Sequence, residues 1–187
     1  KELPRLKPTE AVDALRTFRI APGFEMELVA SEPQVVDPVD MAFDEEGRLW
    51  VVEMIDYPYG DKEGNPPQGR VKRLEDADGD GRFERAQVIA ERLRWPTGLC
   101  LWDGGAYVIS PPDLLYVKEG KREVVCTGFG TQNVQGLANN LKWGPDHWIY
   151  GAAGTNGGLI VNRKRPAAAP TPVNGRDFRF RPTGEFE

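Results

Sequence analysis

The sequence predicts an all-β fold: a partial β-propeller of about three to four blades behind a short N-terminal helix. Three observations carry that prediction. First, 21 Gly and 16 Pro make about a fifth of the 187 residues. Long helices cannot carry so much punctuation, so helical bundles and coiled coils are excluded. Second, three segments line up as hairpins: PVDMAFDEEGRLWVVE from Pro38, PTGLCLWDGGAYVIS from Pro96 and ANNLKWGPDHWIYGA from Ala138. Each has a short alternating strand, a turn at Asp or Gly, and a second strand with an aromatic. Third, the aligned aromatics Trp50, Tyr107 and Tyr150 lie 57 and 43 residues apart, and one four-stranded blade takes about 40–50 residues. The longer first interval holds an insertion at 58–69 and an acidic loop at Asp76.

The elements follow in order. Residues 9–18 (TEAVDALRTF) predict the helix, with Thr9 as N-cap and Glu10 in its first turn. Between the hairpins, strands are expected at 70–74, 86–91, 114–118, 123–128 and 158–162, all short, β-branched or aromatic, and bounded by Gly, Pro or Asp. A last strand begins at Arg176, after a Pro/Ala-rich connector at 163–174 that reads as an exposed loop. The organisation is thus a helical lead-in, 1–18, and an incomplete propeller, 19–187. Three hairpins and a partial fourth fall short of most rings of four to eight blades. They would leave a sheet edge and half a channel unpaired, so the chain is expected to be the N-terminal part of a larger propeller. A small closed four-blade ring or a twisted stack of sheets is the competing architecture.

Composition narrows the function. A hydrophobic fraction of 40% suffices for a core and argues against general disorder. No stretch of about 18 apolar residues exists, so no membrane span is expected. With 24 Lys+Arg against 29 Asp+Glu, a net charge of −5 and no basic stripe, nucleic acid is not an expected partner. His147 is the sole histidine, which excludes multi-His metal centres. Cys100 and Cys126 are too few for a disulfide scaffold and form no CxxC; one disulfide or two buried thiols both remain open.

The most specific chemical signal is the run Asp76-Ala-Asp-Gly-Asp-Gly-Arg-Phe-Glu84. Carboxylates at alternate positions, then Gly81, match the first six places of a calcium loop, and alternation aims the oxygens at one point. The carbonyl of Arg82 and the carboxylate of Glu84 fall at the seventh and ninth places. Gln87 stands where an EF-hand needs a bidentate Glu, and the flanks read as strands, so this is a hairpin calcium loop. Its expected ligands are Asp76, Asp78, Asp80, Arg82 and Glu84, and its expected role is to staple the hairpin; a solvated acidic turn is the simpler alternative. His147 aligns with Gly47 at a hairpin tip and is expected to be a turn residue at positive φ. Asn139 and Asn140 open an innermost strand, where they could bind a ligand or cap loose backbone groups. Glu53 and Asp56 end the first repeat and could share a rim as an acid–base pair. The tryptophans and tyrosines read as packing between blades. No phosphate loop, serine elbow or Cys–His pair occurs.

Several strings together carry a family resemblance: FRIAPGFEMELVASEP from Phe18, DPVDMAFDEEGRLWVVEM from Asp37, Tyr57-Pro58, LEDADGDGR from Leu74, PTG from Pro96, PDLLY from Pro112, TGFG from Thr127 and WGPDHWIYG from Trp143. They resemble the N-terminal β-propeller of PVC-type membrane-bound dehydrogenases, which is similar to the soluble quinoprotein glucose/sorbosone dehydrogenases. The resemblance implies a periplasmic or secreted propeller of about six blades that oxidises a sugar or polyol. It also implies pyrroloquinoline quinone (PQQ) as acceptor, calcium nearby, and as partners the rest of the propeller and a cytochrome-c domain, absent from this chain, that carries haem c. In the glucose dehydrogenase relatives the catalytic His precedes the L-x-x-G-P-D segment by five residues; counted from Leu141, that place is Gly136. A non-catalytic propeller that binds carbohydrate or protein is the alternative function.

Overall fold

Tight turns between short alternating strands build three antiparallel sheets. The structure, a computed structural model, describes residues 7–59 and 66–187. Residues 1–6 of the expected lead-in and 60–65 of the expected insertion lie outside the described residues. The first sheet holds β1 (Pro38–Phe43), β2 (Leu49–Glu53), β3 (Gly69–Glu75) and β4 (Arg85–Leu93) in sequence order. The second holds β5 (Gly98–Trp102), β6 (Gly105–Ser110), β7 (Asp113–Lys118) and β8 (Lys121–Phe129), again in order. In the third, β9 (Asn139–Trp143) pairs with β10 (Ile149–Ala152). Two strands then leave it before β13 (Asp177–Phe180) returns to the far side of β10: β11 (Gly158–Asn162) and β12 (Thr171–Pro172).

The turns explain the registers. Asp103 and Gly104 both take positive φ, as do Glu119 and Gly120, the backbone a two-residue hairpin needs to match strand twist. At the tip between β9 and β10, His147 stands at φ +62, where the first repeat has Gly47 at φ +76. The lone imidazole is therefore a turn residue, as its alignment with glycine predicts.

Each sheet is a propeller blade. β1 lies against β5 and β5 against β9, so the first strands of the three sheets sit side by side at the centre. Leu99 N–H donates to Asp40 Oδ2 at 2.9 Å, Thr97 Oγ1 to Ala138 O at 2.5 Å and Trp143 Nε1 to Leu101 O at 3.1 Å, which sews these inner strands together. Trp50, Val52 and Val71 of blade 1 pack on Leu99, Val108 and Leu115 of blade 2. On its other face blade 2 sets Tyr107, Ile109 and Leu114 against Leu141, Ile149 and Phe180 of blade 3. Cys100 and Cys126 are free thiols in that second layer, and burial pushes both up to about 12, which leaves them unreactive.

The structure departs from the sequence reading in three places. The strand at 158–162 pairs with β8, so it extends the edge of blade 2, and the connector contributes β12 to the same sheet. The strand after Arg176 is the third strand of blade 3, with residues 185–187 turning back along it: Glu187 N–H donates to Arg179 O at 3.0 Å. The chain thus holds three blades. The helix shrinks to α1 (Ala11–Ala14) and a 3₁₀ turn, Leu15–Thr17; Glu10 stands at the cap without a side-chain bond, and none of these residues is buried. Thr9 does not cap it. Helices this short stand on an apolar face packed against something, and among the described residues none of this one's apolar side chains is buried.

Candidate functional site

The acidic loop, 76–84, closes the β3–β4 hairpin, whose last ladder pair is Glu75 with Arg85. Its side chains fold the loop on themselves. Asp76 accepts Gly79 N–H at 2.7 Å and Gly81 N–H at 2.8 Å, Asp78 accepts Asp80 N–H, Asp80 accepts Arg82 N–H, and Glu84 reaches back to Ala77 N–H. The Gly81 bond, then Gly79, holds the Asp76 carboxyl below the usual aspartate range, so it is an anion at neutral pH. One oxygen from each of Asp76, Asp78, Asp80 and Glu84 lies within 4.8 Å of the others. A sphere of oxygens at about 2.3–2.6 Å from a calcium ion is about 5 Å across, so this all-oxygen set fits a hard cation and could hold one. Arg82 N–H is taken up by Asp80 at 2.8 Å, and Gln87 is occupied as a strand residue, accepting from Arg73 at 2.8 Å.

Just beyond the acidic residues the loop is anchored. Phe83 N–H donates to Val29 O at 2.8 Å, and its ring packs with Leu49, Val51 and Leu74 beneath Ala30 and Val35. The segment from Val29 to Val36 is thereby laid over the middle strands of blade 1. There, Glu53 is fully buried: Arg70 pairs with its Oε2 at 2.8 Å, Lys72 at 2.9 Å and Val36 N–H share its Oε1, and Lys72 also donates to Gln34 O. With both oxygens so engaged, Glu53 fastens this strap and is not half of an acid–base pair. Asp56 accepts Gln68 N–H through one oxygen, and its buried Oδ1 has no hydrogen-bond partner among the described residues.

The rim where the inner strands begin lies opposite the acidic loop, holds Glu53 beside Pro38, and has different chemistry from the loop. Asn139 Nδ2 donates to Leu137 O, the capping use of that residue, and Asn140 takes φ +60. Lys142 Nζ of blade 3 reaches across blade 2 to Asp40 Oδ1 of blade 1 at 3.7 Å. A Cβ on Gly136 would run into Thr155 Oγ1, so a side chain there requires Thr155 to turn away; glycine itself offers no base at this place. Sequence reasoning missed the cavity on this rim, lined by Asp37, Pro38, Val39, Met54 and Tyr57. Its parts are 20 residues apart in the chain, and no local motif joins them. The acidic loop and His147 sit at the other ends of their strands, on the rim away from this cavity.

Three antiparallel blades, whose first strands lie side by side around a polar axis, define this chain as a β-propeller array. The family described as "Domain of unknown function (DUF7133)" matches residues 10–187, and the chain belongs to it. A solved gluconolactonase from Xanthomonas campestris is similar at 17% identity and a TM-score of 0.46; the match covers 83% of this chain and 57% of that one. The chain thus spans little more than half the length of that structure. No curated protein matches it in sequence. No helix among the described residues is long and apolar enough to cross a membrane.

Proposed function

We propose that this chain is the channel-lining part of a dehydrogenase-like propeller that oxidises a sugar or polyol, with PQQ as acceptor, in the periplasm or outside the cell. The observation that supports it is the axis: β1 and β9 bring Asp40, Asn139, Asn140 and Lys142 together at the centre, a set of polar groups open to a ligand. Lys142 is the residue here that would hold a carboxylate of the quinone, as a charge-assisted contact. When bound, the quinone supplies a two-electron acceptor for hydride from the alcohol carbon. The chain's own residues bind and orient. The base is not among them, since Gly136 has no side chain and His147 is a turn residue on the far rim. Base, remaining cofactor contacts and an onward cytochrome-c partner with haem c would come with further blades, packed on the open faces of blades 1 and 3. Asp76, Asp78, Asp80 and Glu84, with the Arg82 carbonyl, would take calcium as a staple of the β3–β4 hairpin.

The test is PQQ binding to the chain, followed by fluorescence quenching. Loss of one charge-assisted contact is worth about 1.5–3 kcal/mol, so Lys142→Met should weaken binding roughly 10- to 100-fold. Equal binding by both proteins rejects the assignment. Gly136 favours a second reading, a non-catalytic propeller that binds carbohydrate or protein. Tight glycan binding without dye reduction, in a polypeptide carrying the further blades, would establish it.

A further inference from the structure

Neither the acidic loop nor the Lys142 axis uses the cavity at the start of the inner strands. It holds about 380 Å³. Asp37 stands at φ +45 and its carbonyl accepts Met54 N–H at 3.0 Å, which clips the start of β1 to the end of β2. Tyr57 N–H donates to Met54 O at 3.3 Å, closing a turn that presents the phenol. Gln135 Nε2, from the lead-in to blade 3, donates to the Tyr57 hydroxyl at 3.3 Å. The ring is therefore tethered at its hydroxyl while about half of the residue stays exposed.

The lining selects a ligand class. Pro38, Val39 and Met54 are apolar, Tyr57 offers an aromatic face, Asp37 offers a carboxylate, and no Lys or Arg lines the cavity among the described residues. Among the described lining residues an anionic molecule meets a carboxylate and no cation, whereas Lys142 offers the acidic quinone a positive charge elsewhere. Small-molecule sites run from about 300 to 1,000 Å³, and this volume near the lower bound admits one ring or one short chain. We infer that the cavity seats a neutral polyhydroxy molecule of monosaccharide size. Its C–H face lies on the Tyr57 ring and one hydroxyl donates to Asp37. The ligand class rests on the sugar or polyol reading above; the location does not depend on the quinone. One open aromatic face is not the cage that quaternary ammonium ligands use.

The test is NMR of the Met54 methyl group as the chain is titrated with sorbitol, glucose, gluconate or choline. Sorbitol or glucose should shift the signal, Tyr57→Ala should weaken that binding about tenfold, and gluconate and choline should leave it unmoved. No shift with either polyol, a shift indifferent to Tyr57→Ala, or tighter binding of choline overturns the assignment. Should polyols fail while PQQ still binds through Lys142, the cavity assignment alone falls; polyol shifts without PQQ binding leave it standing and remove the quinone.

Discussion

The interior of the blade stack and its two ends are made of equivalent residues in opposite surroundings. The registers equate Ala42, Cys100 and Lys142, the partners of Trp50, Tyr107 and Tyr150. One residue earlier come Met41, Leu99 and Leu141, which point at the preceding blade. Leu99 and Leu141 are 1% and 0% exposed, whereas Met41, with no blade before it, is 62% exposed. On the opposite faces Trp50 and Tyr107 are each 2% exposed and Tyr150, with no blade after it, is 37%. The same difference marks the polar locks. Asp44 accepts Trp50 Nε1 and Arg48 Nε inside the stack, and these bonds outweigh the burial that would raise its pKa, leaving it lowered. Asp146, lowered chiefly by the Tyr150 hydroxyl, makes its bonds in the open. Burial here is a property of the neighbour, as nearest-neighbour stacks of repeats require.

The largest effect should come from the interior. Leu99→Ala removes a buried side chain between blades 1 and 2, where the surroundings cannot close the void, and should cost about 2–5 kcal/mol. Denaturant melts of the chain measure it. A loss below about 1 kcal/mol would mean that blades 1 and 2 are not packed as one layer.

Calcium should act at one end only. If the acidic loop binds it, calcium at 100 times its dissociation constant adds about 2.7 kcal/mol and raises the melting temperature, and Asp78→Ala abolishes the rise. Amide exchange locates the gain: protection should increase along β3, β4 and the strap that Phe83 holds, and not in blade 3. An unchanged melt leaves the loop a solvated turn. A rise spread evenly over all three blades would show that the stack responds as one unit and that the ends are less independent than their exposure suggests.

How much of this was legible depends on range. The acidic loop was, because alternation over nine residues is local, and so was His147, whose place opposite Gly47 in the repeat announces a positive φ. Strand 158–162 was legible as a strand and not as a partner of β8, since periodicity names an element without naming its sheet. The helix at 9–18 was overread because propensity is a weak guide where no apolar face is packed. Glu53 and Asp56 looked like a pair by spacing, but only the structure brings Arg70 and Lys72 to Glu53. The cavity needed Asp37, Met54 and Tyr57 in one place, which no pattern in the sequence encodes.

The smallest effect sharpens the comparison most. Met41→Ala truncates a side chain at the position of Leu99 and Leu141, yet at the open end it removes little buried surface. Substitutions of that kind usually stay within about 0.5 kcal/mol. Melts of the chain by itself should therefore barely distinguish Met41→Ala from the parent, while Leu141→Ala should lose about 2–5 kcal/mol. In an assembly where another blade covers blade 1, the ordering changes: Met41→Ala should then approach Leu141→Ala, because the added neighbour makes the end an interior. If Met41→Ala proved costly in the chain alone, something would already cover that face, and the two ends of the stack would not be equivalent.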